Sequence, residues 1–347
     1  MPLGSHVRFG LIYTHVGNDS AVNDRPEPKR SEAHWSELLD HIAWAESIGF
    51  ESVWLTERHF ANYAPSPLVL AAAIATRTST MRIGTNLLVA PLHHPIRLAE
   101  DAATVAVLSH GRFDLGIGQG HRDVDFANLG VSLQHRPSLL EETVAILRQA
   151  WTGKPFTFFG RRYTIPVAAA VRPVAHTPPR ILIGATTRPG MARAARLADG
   201  FLSAFNGHIR EFCAVAESVG SGTQIPIFAA QQAIIAEDPA REWHRVQDFA
   251  VSHINQNLPA DRQLPDAAAA IENKMIALWD GNTAVDSILR LIRRHPAIED
   301  VHFLASAGPG ESLDDTRERL QYVADVVVPG VRTALRSIGP TSDGVCW

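Results

Sequence analysis

Only two cysteines occur in the 347 residues, Cys213 and Cys346, far apart and at no metal-ligand spacing. A chain this long needs no disulfide scaffold, so reduced cysteines and a cytoplasmic location are expected. No basic run is present and the formal net charge is −4, so neither nucleic acid nor an acidic membrane surface is expected as a partner. No apolar stretch reaches the ~18–20 residues of a membrane span. The start, Met1-Pro2-Leu3-Gly4-Ser5-His6, lacks a basic segment followed by an apolar one, so no signal peptide is expected. Repeats and low-complexity tracts are also missing.

What the chain does have is 46% hydrophobic content, ample for one large core. Strand-like and helix-like segments alternate from end to end. Strands are predicted over residues 7–13, 51–56, 81–90, 112–116, 180–185, 200–204, 225–236 and 301–305. Helical spacing separates them. Trp35, Leu38, Leu39, Ile42 and Ala45 share one face, with Ser31 as the predicted cap and Gly49 as the stop. Ser66-Pro67 opens the second helix and Pro95 the third. Ser138 and Glu141 form a predicted capping box. Residues 191–197 and 283–295 are predicted helical, as are two stretches split by a polar segment at 255–265. A closing helix at 313–327 is predicted to end at Pro329.

Eight strands, each followed by a helix, imply parallel pairing with both faces covered. A closed (β/α)₈ barrel and an open doubly wound sheet both fit. In a barrel, chemistry sits where strands end and loops begin. After strand two come Glu57, Arg58 and His59, with His59 a natural proton carrier; simple ion pairing under a loop also accounts for them. After strand three come Asn86 and then His93-His94, for which a helix-start or loop role outweighs metal binding. After strand four, Gly116-Ile117-Gly118-Gln119-Gly120 lets a backbone approach a ring or a phosphate, although tight packing explains it equally. It departs from the G-x-G-x-x-G dinucleotide pattern. After strand five, Thr186-Thr187-Arg188-Pro189-Gly190 runs into a helix whose free amides suit a phosphate. Arg136, at another helix start, can clamp one, or can be a solvated surface arginine. Asp199 is expected to order a turn. Metal-dependent barrel hydrolases usually open with His-x-His; Tyr13-Thr14-His15 does not, and no metal is expected.

Taken in order, these pieces resemble the luciferase-like monooxygenase family. Glu57-Arg58-His59-Phe60 is similar to the family's Glu-His-His-Phe. Arg82-Ile83-Gly84-Thr85 leads to His94-Pro95-Ile96-Arg97-Leu98-Ala99-Glu100-Asp101. Leu108-Ser109-His110-Gly111-Arg112-Phe113 matches the family's Leu-Ser-x-Gly-Arg-Phe signature, and Asp125-Phe126 and Gly130 continue it. Weaker echoes are 178–185, 194–200 and 326–329. The similarity covers about residues 1–330, leaving 331–347 as a C-terminal tail.

The resemblance implies a single-domain TIM barrel, commonly dimeric, that takes reduced FMN or a deazaflavin coenzyme. The flavin phosphate would meet Arg136, Thr186, Thr187 and the amide near Gly190. The ring would lie near Asn86, Leu87 and Gly118, with a non-prolyl cis bond expected at Asn86–Leu87. There are departures. The family's first, catalytic histidine falls on Arg58, its reactive-thiol position on Gly118 and a phosphate-binding arginine on Gln119. Light emission is therefore not expected. The implied activity is a monooxygenase that receives reduced FMN from a separate flavin reductase and oxidises a small organic substrate through a flavin hydroperoxide. His59 would serve as acid or base and Arg58 would stabilise an anion, with residues 14–30 and 255–265 as a lid. The alternatives are a deazaflavin-dependent oxidoreductase on the same fold and a non-catalytic flavin-binding subunit. A homodimer is the expected assembly.

Overall fold

Strands such as Arg180–Gly184, with Ile181, Leu182 and Ile183 all buried, must be covered on both faces. The computed structural model shows how. It describes residues 7–14, 28–60, 66–221, 225–258, 260–308 and 311–337. Eight strands run in parallel: β1 (Arg8–Tyr13), β2 (Ser52–Leu55), β3 (Arg82–Thr85), β4 (Phe113–Gly118), β5 (Arg180–Gly184), β6 (Gly200–Ser203), β7 (Ile227–Gln231) and β8 (Ile298–Leu304). Each pairs with its neighbours in sequence, and β1 pairs with β8, placing Phe9 against Val301. The sheet is therefore a closed (β/α)₈ barrel, not an open one.

The covering helices are α1 (Pro28–Ser47), α2 (Pro67–Arg77), α3 (Pro95–Leu108), α4 (Arg136–Ala150), α5 (Arg188–Leu197), α6 (Asn206–Ser218), α7 (Pro239–Asn257), α8 (Gly281–Arg294), α9 (Leu313–Tyr322) and α10 (Val328–Ser337). Strand alternation sorts the core into two regions. Val53 and Leu55 of β2 pack outward against helices, whereas Trp54 points into the barrel with Ile12, Leu182, Leu202, Phe228 and Leu304. The Trp54 indole fits only because residue 84 is glycine: a Cβ there would lie 2.2 Å from the ring. Among the described residues, no helix is long and apolar enough to cross a membrane.

The strand starts close the barrel bottom with charge. Arg82 and Arg180 each grip the buried Asp114 with two hydrogen bonds of 2.8–3.0 Å. Arg180 and Arg8 share Glu299, and Arg8 reaches Asp300 at 3.4 Å. Every cation in this ring faces a carboxylate, so the ring ties five strand ends together instead of offering a site.

Several predicted boundaries move. Helix α1 begins at Pro28, which places Ser31 inside it and not at its cap; proline suits the first turn, where no N–H is needed. Helix α4 starts at Arg136 for the same reason, with Pro137 in its first turn. The predicted capping box does not form: Ser138 Oγ donates to the His135 carbonyl and Glu141 pairs with Arg193. Strand three splits into Arg82–Thr85 and Leu88–Val89, and strand four continues to Gly118. The seventh predicted strand also divides, because Ala233–Ile235 leaves the barrel to pair with Ala277–Trp279. Pro329 does not end the last helix. A π turn at Val323–Val327 precedes it, and α10 takes the ring in its first turn and carries on across the 330/331 boundary. An antiparallel hairpin, Phe156–Phe159 with Thr164–Ala169, was not predicted; Glu142 accepts the amides of Arg161, Arg162 and Tyr163 at its tip.

Candidate functional site

The strand ends gather the expected residues at one mouth. Beyond β2, the buried Glu57 carboxylate accepts the Val89 amide at 2.5 Å through Oε2. Its Oε1 faces His93 Nε2 at 2.7 Å and His59 Nε2 at 3.3 Å. Burial pushes the Glu57 carboxyl up, but the contacts from His59, His93 and the Val89 amide outweigh it and leave its pKa below the ordinary value. His59 moves up, first through its contact with Glu57, against burial and the Arg122 charge. Arg122 also donates to the His59 carbonyl at 2.9 Å and pairs with Asp125.

Arg58 is buried, and its Nη2 donates to the Gln256 carbonyl at the end of α7. Desolvation, helped by the Arg58 charge, lowers the nearby His253 to about 4, so that ring is neutral at pH 7. Gln256, at the start of the expected second lid segment, thus lies against the site, while residue 259 of that segment is outside the described residues. Asn255 closes it by taking both the amide and the carbonyl of Leu264, at 2.6 and 2.9 Å. Most of the first expected lid, residues 15–27, lies outside the described residues.

Beyond β3, the Asn86–Leu87 peptide is cis, at the bond expected. Asn86 is held on every side. Its amide donates to Leu55, its carbonyl accepts from Thr56 Oγ1 at 2.9 Å, and its side-chain amide donates to His302 Nε2 at 2.9 Å. His302 Nδ1 lies 3.3 Å from Asp300 Oδ1, which also accepts from Trp54 Nε1. A carboxylate only accepts, so Nδ1 carries the proton and Nε2 is left to accept from Asn86. The Leu87 side chain lies over two glycines on adjacent strands: a Cβ at 118 would be 2.7 Å from it and one at 184 would be 2.6 Å.

Like His59 Nε2, the atoms Gln119 Oε1, next to Gly118, and Arg136 Nε are buried without a hydrogen-bond partner among the described residues. Partial desolvation, then Arg58, Arg122 and Arg136 together, lower the pKa of His121, so the three guanidiniums share one side of the mouth. Arg136 opens α4, and Thr187 caps the neighbouring α5; the Arg193–Glu141 pair at 2.7 Å joins the two helices. Thr186 and Thr187 are exposed. The Gly190 amide, expected to be free, donates to Thr187 Oγ1 at 3.4 Å.

The sequence reading gave His93 only a helix-start or loop role, and it missed Arg122, His253, Asp300 and His302. Of the missed residues only Asp300 and His302 left a signal: spaced by two, they fall on one face of the strand, and both are buried. His94 takes the predicted helix-start role, its Nδ1 accepting the Ile96 amide at 3.3 Å. Asp199 orders its turn by accepting the Ile181 amide at 2.8 Å.

Comparison with known proteins gives the family and supports the fold. A family model of luciferase-like monooxygenases matches residues 14–293. An F420-dependent glucose-6-phosphate dehydrogenase of Intrasporangium calvum is 32% identical over 83% of this chain and 85% of its own. The oxygenase component of a flavin-dependent trigonelline monooxygenase from Acinetobacter baylyi is 29% identical over 52% of this chain and 49% of its own. An uncharacterised Sinorhizobium fredii protein is 39% identical over 46% of each. The chain thus spans about half the length of several curated relatives it matches. Among solved structures, a monooxygenase from Streptomyces bottropensis superposes with a TM-score of 0.74 at 19% identity, covering 93% of this chain and 99% of that one. The oxygenating constituent of 3,6-diketocamphane monooxygenase from Pseudomonas putida, in complex with FMN, gives 0.71 at 16% identity, covering 93% and 98%. The chain belongs to the luciferase-like monooxygenase family.

Proposed function

We propose that this chain is the oxygenase component of a two-component monooxygenase, taking reduced FMN from a separate reductase and oxidising a small organic substrate with oxygen. The observation that carries this reading is Arg136. Its Nε is buried and unbonded among the described residues, on a helix joined to α5 by the Arg193–Glu141 pair, whereas Arg122 is matched by Asp125, Arg188 by Glu211 and Arg193 by Glu141. That arrangement suits one phosphate better than the long acidic tail of a deazaflavin coenzyme. The relatives described as an oxygenase component and as an FMN complex support it.

The residues present fit the cofactor. Arg136, Thr186, Thr187 and the first turn of α5 would hold the phosphate, and Asn86, Leu87 and Gly118 would lie against the ring. When bound, reduced FMN supplies the electrons that split oxygen between the substrate and water. His59 holds or releases the proton this requires, at a ring kept basic by Glu57. Arg58 offers positive charge to an anionic substrate or transition state. Helix α7 and residues 255–265 exclude water from above. A homodimer is the proposed assembly.

A deazaflavin-dependent hydride transfer is the second reading, favoured by the 83% coverage of the F420-dependent relative. Anaerobic titration with reduced FMN, followed by mixing with oxygen, separates the readings. Bound flavin that reoxidises more slowly than free flavin, with less hydrogen peroxide when a substrate is oxidised, supports the oxygenase. FMN binding without altered reoxidation indicates a flavin-binding subunit. Failure to bind FMN together with binding of the deazaflavin overturns the proposal in favour of the second reading.

A further inference from the structure

Two imidazoles share one oxygen of a buried carboxylate. His93 Nε2 stands 2.7 Å from Glu57 Oε1 and His59 Nε2 stands 3.3 Å from the same atom. The first distance is that of a strong charge-assisted hydrogen bond. The second contact is poorly directed, and His59 Nε2 makes no formed hydrogen bond among the described residues. The other carboxylate oxygen is taken by the Val89 amide. Val89 and His93 flank a single short turn, Ala90–Leu92, whose end is fixed by the His93 amide on the Ala90 carbonyl. One rigid segment therefore grips Glu57 by both oxygens, and His59 receives what remains.

We propose that His93 is a positioning residue for His59, acting through Glu57, and that it limits how tightly His59 holds its proton. The remaining charges facing His59 are Asp125 and Arg122, from the helix Asp123–Asn128 and the residue before it; they pair with each other at 2.9 Å. Glu57 is thus the anion that decides the basicity of His59, and His93 competes for it. Two protonated imidazoles on one carboxylate repel, so a proton on one ring disfavours a proton on the other. His93 is the outer member: its side chain is 29% exposed, against 18% for His59 and 0% for Glu57. It brings the solvent pH to bear on a ring that faces the site.

The inference rests on His59 being the proton-handling group of the proposed reaction, but its test needs no turnover, so the two fail separately. The histidine ring signals of the whole protein are followed by NMR against pH in the wild type, His93→Ala and His93→Gln. His59 should titrate in a coupled curve in the wild type. In His93→Ala it should titrate in one step with its midpoint shifted upward. His93→Gln, which keeps a donor but not a charge, should also lose the coupling and lie between the two. If His93→Ala does not fold, loss of coupling in His93→Gln decides the matter. A His59 curve identical in the wild type and the folded variants overturns the proposal. So does a His93→Ala shift that persists in a Glu57→Gln background, because the influence would then not pass through Glu57.

Discussion

Asn86 and His302, 216 positions apart, meet inside the barrel, the Asn86 side-chain amide donating to His302 Nε2 at 2.9 Å. Asp300 fixes the tautomer that makes this possible. A residue at the floor of the mouth is therefore oriented from below, by a strand that contributes nothing else to the predicted site. Replacing His302 with Leu should leave the Asn86 amide and Asp300 short of a partner. We expect a loss of roughly 1–3 kcal/mol in denaturant unfolding, the cost of such unmet groups, with weaker binding of reduced FMN. Wild-type stability in this variant would refute the role given to His302.

Gly118 is expected to be intolerant of even one methyl group. A Cβ there falls 2.7 Å from Leu87 Cδ2, so Gly118→Ala must displace the leucine. Overpacking of this kind costs about 1–3 kcal/mol. Adding Leu87→Ala should recover part of the loss, and a double-mutant cycle reads the coupling directly. Additive effects of the two changes would mean that the side chains do not meet.

Acid should destabilise the protein before its carboxylates titrate. Burial lowers His41 and His253 to about 4. The unfolded chain takes up those protons near pH 6.5 and the folded chain does not, so stability falls as pH drops from about 6.5 towards 4. Each ring contributes a slope of up to about 1.4 kcal/mol per pH unit in that window. His41 is held by Tyr13 and Thr316 at 2.8 and 3.0 Å. His41→Gln, which cannot titrate, should flatten the slope by about one proton, measured as urea midpoints across the range. An unchanged slope would show that His41 takes up its proton while folded.

Arg136→Leu tests the phosphate assignment. Loss of a charge-assisted contact of about 1.5–3 kcal/mol weakens reduced FMN binding roughly 10- to 100-fold. Reduced riboflavin, which has no phosphate, should bind the variant and the wild type alike. Equal weakening for both ligands would place Arg136 somewhere other than the phosphate.

The sequence determined the order and type of the eight strands, because buried parallel strands must be apolar and the helices between them must repeat their apolar face every three or four residues. It also determined the strand ends at which Arg58, His59, Asn86, Leu87 and Gly118 converge, since a closed barrel brings all of its C-terminal strand ends to one mouth. Local punctuation misled where tertiary contacts overrode it: Pro329 sits in the first turn of α10 instead of ending a helix, and Ser138 bonds backward to His135 instead of capping. Only the folded chain decided who holds whom. Glu57 with His93, Asn86 with His302 and Arg58 with the end of α7 are pairs set by strand closure and by the insertion over the mouth. Their partners lie 36 to 216 positions apart. A hydrogen bond acts over about 3 Å, and sequence spacing carries no information at that range once the chain has crossed the barrel.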